Sequence, residues 1–205
     1  MNHLKLFENY QSESKVAKIC RKYGIKNWTL NSDGLVDVDG DVNLGGCGLK
    51  IPLKFGKITG SFCCDPSAAA FPAKSWITSN QLTSLEGSPH TVGDSFNCNG
   101  NELTSLEFAP KSVGGDFHCR WNNIRSFEVL VNIGGDFYCN RNPVYEIWNI
   151  IAPWTNGWDN EKMDFFNDLD IIRGEEIAIE RLNFFLEEMG SPTTVESVKG
   201  YKNIY

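Results

Sequence analysis

One phrase recurs through the middle of the chain and constrains its fold more than any other feature. Phe96-Asn97-Cys98, with Asn101, Leu103 and Leu106, returns as Phe117-His118-Cys119 with Asn122, Ile124 and Phe127. It returns again as Phe137-Tyr138-Cys139 with Asn142 and Val144, and a degenerate earlier copy reads Val42-Asn43-Leu44 with Cys47 and Leu49. The phase is 20 or 21 residues wherever it is uninterrupted, a length typical of leucine-rich solenoids. Phe117 and Cys119 alternate with His118, which suits a short strand with one buried face. The column Cys47, Asn101, Asn122, Asn142 puts a side-chain amide where a tight turn would otherwise leave backbone groups unpaired. Leu85, Leu106 and Phe127 lie on the return side, and Pro89 and Pro110 suit an extended path there without helix. The expected fold class is α+β: a leucine-rich-repeat-like β-solenoid of about five coils, with an N-terminal helix/hairpin cap and a C-terminal helical cap.

The chain divides accordingly. Residues 1–38 are expected to form the N-terminal cap, with a helix over 2–23 stopped by Gly24 and a hairpin of Trp28–Leu30 with Leu35–Val38. Residues 39–144 carry the repeats, interrupted by an inserted loop at 66–79 that adds thirteen residues before the Asn column resumes. The insertion carries Phe71 and Trp76, which are costly to leave in water and are expected to dock on the protein or on a partner. Residues 145–205 change period; Glu161–Leu169 and Glu175–Met189 read as helices of a C-terminal cap, followed by a polar tail.

Composition excludes several classes. At 41% apolar the chain can fill a continuous core. No apolar run is long enough to span a membrane and Met1–Tyr10 has no signal-peptide stretch, so a cytoplasmic location is expected. Four of seven cysteines (Cys64, Cys98, Cys119, Cys139) share one repeat position, which reads as a buried ladder of reduced thiols. Evenly spaced single cysteines do not converge as zinc ligands do, so no metal is expected. The net charge of −7 is concentrated between Asp159 and Met189, and no basic surface remains for phosphates, so nucleic-acid binding is not expected.

Catalytic templates are missing. There is no GxSxG elbow, P-loop or HExxH. His118 and Cys119 are neighbours on a strand and face opposite sides, which is poor geometry for a nucleophile pair. Asp37, Asp39 and Asp41 suggest a calcium loop, but the twelfth position from Asp37 is Gly48 rather than an acid. Asp116 and Asp136 are expected to bond backbone in the turns that enter their strands. No enzyme activity and no cofactor are expected.

The phrases Asn80-Gln-Leu-Thr-Ser-Leu-Glu-Gly-Ser-Pro-His-Thr-Val-Gly-Asp and Gly114-Gly-Asp-Phe are specific, as are Asp37-Val-Asp-Gly-Asp-Val-Asn-Leu and Leu49-Lys-Ile-Pro-Leu-Lys-Phe-Gly. With Asn142-Pro-Val-Tyr-Glu-Ile and Val198-Lys-Gly-Tyr-Lys-Asn-Ile, they resemble a leucine-rich-repeat-like protein family of tailed bacteriophages and some bacteria. The resemblance covers roughly residues 15–204 and departs at the insertion. It implies a fold and a phage origin, and no catalytic residues.

Function then rests on the outward strand face. The column Asn43, Cys63, Asn97, His118, Tyr138 stacks beside Gly45, Asp65, Asn99, Arg120, Asn140. His118, Arg120, Trp121 and Tyr138, with Phe71 and Trp76 of the insertion, are the candidate contact residues. The reading is a non-enzymatic protein-binding module. Its partner would be a protein of the bacterial host, antiviral defence included, met in the host cytoplasm. The alternatives are a small-ligand-binding or sequestering protein, or a virion or assembly component.

Overall fold

The computed structural model describes residues 14–68, 81–127 and 132–205. Helix α1 (Lys15–Lys22) starts where the Ser14 hydroxyl accepts from the Ala17 amide at 3.1 Å, and carries Arg21 and Lys22 in its last turn. Strands β1 (Trp28–Leu30) and β2 (Val36–Val38) pair antiparallel around the turn that follows Asn31. From there the chain deals its short strands alternately to two parallel sheets. β3 (Val42–Asn43), β5 (Phe62–Cys63), β7 (Phe96–Asn97), β9 (Phe117–His118) and β11 (Phe137–Tyr138) make a five-stranded sheet in the order β11-β9-β7-β5-β3. β4 (Phe55–Ile58), β6 (Thr91–Val92), β8 (Ser112–Val113) and β10 (Asn132–Ile133) join the hairpin in a six-stranded sheet, β1-β2-β4-β6-β8-β10.

Between the two sheets lies the core. Phe62, Phe96, Phe117 and Phe137 form one continuous stack with centroid spacings of 5.6, 5.1 and 5.6 Å. Cys64, Cys98, Cys119 and Cys139 are buried beside it as thiols outside any disulfide. Each ladder amide ties neighbouring copies together. Asn122 Nδ2 donates to the carbonyls of Cys98, Cys119 and Arg120 at 3.0, 3.1 and 3.2 Å, while its Oδ1 accepts from the Leu103 amide at 3.1 Å. Asn101 and Asn142 repeat the arrangement. Glycine is required where backbones meet: a Cβ on Gly114 would lie 2.2 Å from the Gly93 carbonyl oxygen, and one on Gly134 would lie 2.3 Å from that of Gly114.

The remaining chain forms α2 (Tyr145–Thr155), α3 (Asn160–Asp168), β12 (Ile172–Arg173), β13 (Glu176–Ala178), α4 (Ile179–Glu188) and β14 (Lys202–Ile204). The last three strands pair in a third sheet, β12-β13-β14. Trp148, Trp158 and Phe166 close over Phe127 and Phe137. Tyr201 Oη donates to the Arg125 carbonyl at 2.5 Å and fastens the C-terminal segment to the repeats.

The expected leucine-rich-repeat-like β-solenoid of about five coils with helical caps is therefore corrected. The molecule is an α+β protein of three sheets, and its strands are laid out as sheets rather than as a coil with one strand ladder. The return segments, expected to run extended without helix, hydrogen-bond into the six-stranded sheet, as at Thr91↔Ser112 and Val92↔Val113. The hairpin forms the edge of the six-stranded sheet, because β2 pairs with β4. The C-terminal segment is not wholly helical: Glu176–Ala178, expected inside a helix, is a strand. Gly174 at φ +61° turns β12 back against it, and β14 flanks its other side. Among the described residues no helix is long and apolar enough to cross a membrane.

Candidate functional site

The outward column runs in register through all five strands: Asn43↔Cys63, Cys63↔Asn97, Asn97↔His118, His118↔Tyr138. Because inward neighbours Phe117 and Phe137 are locked in the core stack, His118 and Tyr138 are presented by rigid backbone. Their rings stack with centroids 4.7 Å apart and planes 4° from parallel. The guanidinium of Arg120 lies 4.4 Å from the centroid of the Tyr138 ring, within range of a cation–π contact.

Two carboxylates hold this arrangement from behind. Tyr138 Oη donates to Asp136 Oδ2 at 3.0 Å, and the Asp136 amide donates to Asp116 Oδ1 at 2.9 Å. Asp116 Oδ2 also lies 3.8 Å from His118 Nε2. Asp116 thus bonds backbone of the next copy, 20 residues on, instead of its own turn. Burial holds the His118 imidazole below its ordinary pKa; Asp116 opposes that shift and Arg120 adds to it. The Tyr138 phenol is raised, first by its hydrogen bond to Asp136 and then by that carboxylate's charge.

Arg120 is the unbalanced member. Its amide donates to Asn99 Oδ1 at 2.7 Å, which fixes the strand end. Its Nε is buried without a hydrogen-bond partner, and no carboxylate among the described residues pairs with the guanidinium. A cation over an aromatic ring, with no carboxylate partner among the described residues, is matched to a carboxylate brought from outside.

Trp121 adds an observation that column comparison alone supplies. The residue before each ladder position is left-handed: Gly46 (φ +79°), Gly100 (φ +65°), Trp121 (φ +51°) and Arg141 (φ +65°). Glycine adopts this conformation freely, whereas a bulky side chain there costs about 1–3 kcal/mol. Trp121 carries that cost with its side chain 58% exposed, beside Arg120. The structure brings His118, Arg120 and Tyr138 together and sets Trp121 at their edge. Phe71 and Trp76 lie outside the described residues. Asp116 and Asp136, which position the stack, were read only as turn residues; their recurrence directly before Phe117 and Phe137 was the available signal.

No protein-family model, no curated protein and no solved structure matches the chain. The site is accordingly read from its own chemistry.

The electrostatics make a prediction. Arg120→Ala is expected to raise the His118 titration midpoint and Asp116→Asn to lower it, both read from the imidazole resonances by NMR. The folded imidazole binds its proton less readily than the unfolded one. The stability it contributes is therefore present above the unfolded value of about 6.5 and is lost as pH falls through the lower folded value.

Proposed function

We propose that this chain is a non-enzymatic protein-binding module whose contact surface is the outward face of β9 and β11. The observation that supports the reading is Arg120, held over Tyr138 beside His118, with no carboxylate among the described residues to pair its guanidinium. Arg and Tyr are enriched where interface energy concentrates, and a pre-ordered side chain loses less entropy on binding. The partner is a protein that presents an acidic loop: one carboxylate for Arg120 and a flat or apolar group for Trp121. The resemblance to a phage family makes a bacterial host protein the partner class, with the host cytoplasm as the meeting place.

The test is capture from a host-cell lysate on the intact chain, on the His118→Ala/Arg120→Ala/Tyr138→Ala triple variant and on Arg120→Glu. The captured protein is then mutated at its acidic residues. The expected result is loss of capture by both variants, each with unaltered circular dichroism, and recovery with Arg120→Glu when one partner carboxylate is changed to Lys. Capture that is equal on all three chains would overturn the assignment of this face.

A further inference from the structure

On the six-stranded sheet a cleft opens along the starts of β4, β6 and β8, with a volume of about 290 Å³. Leu35, Phe55, Phe108 and Ala109 supply apolar lining, and Lys54, Glu86, His90 and Lys111 stand around it. Lys54 pairs with Glu86 at 3.5 Å, whereas Lys111 has no ion-pair partner among the described residues.

Ser88 is the anomaly. It lines the cleft, is only 5% exposed, and its hydroxyl has no hydrogen-bond partner. The fold does not need that hydroxyl. In the next copy its place is taken by Ala109, and the two backbones run alike: the Ser88 amide donates to Leu85 O at 2.8 Å and the Ala109 amide to Leu106 O at 2.9 Å. A buried hydroxyl without a partner is costly, and an unsatisfied group in a native protein calls for a reason.

The neighbouring residue repeats the pattern. Gly87 is left-handed at φ +98°, and its Cβ would meet the Leu53 carbonyl at 2.5 Å. One copy later the same position is Phe108, left-handed at φ +65° and 52% exposed, with its ring on the cleft. A bulky aromatic residue in that backbone conformation is a steric outlier. An orphan hydroxyl, a strained exposed ring and an unpaired ammonium thus meet at one cavity.

We infer that this cleft binds a small amphiphilic monocarboxylate, with its apolar body against Leu35, Phe55 and Phe108, its carboxylate facing Lys111, and the Ser88 hydroxyl supplying a hydrogen bond. Pockets of this kind combine an apolar lining with a few convergent polar groups. The site is separate from the β9–β11 face and does not depend on the protein-binding reading.

The test uses the full chain with sodium octanoate as probe and octanol as the uncharged control. Octanoate is expected to raise the melting temperature in a saturable way and to shift the amide resonances of Ser88 and Lys111, while octanol at equal concentration does neither. Lys111→Glu should weaken octanoate binding at least about tenfold. Ser88→Ala should weaken it too, while leaving the ligand-free melting temperature equal or higher, because no folded-state bond is lost. A merely structural serine would lower it. Equal effects of octanol and octanoate, or octanoate binding unaltered in Lys111→Glu, would refute the site.

Discussion

Gly114→Ala is expected to lower folding stability by about 4 kcal/mol or more, among the largest effects available to a single methyl group. The added Cβ would sit 2.2 Å from the Gly93 carbonyl oxygen, which belongs to backbone and not to a side chain that can swing away. Relief requires β6 and β8 to separate. That motion breaks the Gly114 amide's bond to Val92 O and disturbs the Gly134 amide's bond to Val113 O, both 2.9 Å. Ser112→Ala on the same strand removes a side chain that makes no described hydrogen bond, and should change stability by no more than about 0.5 kcal/mol. Denaturant unfolding of the two variants checks the pair. Similar midpoints for both would mean that the sheets are not held at this spacing.

The second large effect belongs to Asn122→Ala, expected to cost roughly 3 kcal/mol, or roughly 6–12 °C in melting temperature for a chain of this size. The amide makes four contacts in two adjacent copies: it donates to Cys98, Cys119 and Arg120 carbonyls and accepts from the Leu103 amide. Truncation leaves the Leu103 amide buried and unpaired and opens a polar void, while the three carbonyls keep only the Asn101, Asn142 and Gly100 donors. Asn122→Asp separates packing from bonding. It keeps the volume and the acceptor but loses both donors and faces a carboxylate against carbonyl oxygens, so it should be at least as damaging as Ala near neutral pH. A melting temperature unchanged in either variant would remove the amide column from the account of stability.

How far the fold could be read from the chain depended on how much each copy says by itself. The Asn column and the Phe–Cys alternation were legible because the copies at Phe96, Phe117 and Phe137 all carry them, and the outward position of His118 and Tyr138 follows from the same phase. The six-stranded sheet was not legible. Thr91–Val92, Ser112–Val113 and Asn132–Ile133 each bury one residue, so no alternation can be counted. Ile177 matches a helical stripe in sequence, yet it pairs on one side with Ile172 across a tight turn and on the other with the distant Asn203. The repeat phase places Arg120 near Tyr138, but only the side-chain packing shows the guanidinium 4.4 Å from the ring centroid. Ser88 and Phe108 are visible in the sequence as breaks in their columns, against Ala109 and Gly87.

The stacked cysteines have a kinetic consequence. Burial pushes Cys64, Cys98 and Cys119 far above the ordinary thiol pKa, and Cys47, less enclosed, is raised to about 11. Only the thiolate attacks an alkylating reagent, so these sulfurs are silent while the sheets stay closed and become reactive only when a copy opens. Each strand pair from β5 to β11 therefore carries its own clock. The labelling rate at Cys64, Cys98, Cys119 and Cys139 times the opening of successive segments, and would show whether the molecule loosens from one end or lets go all at once.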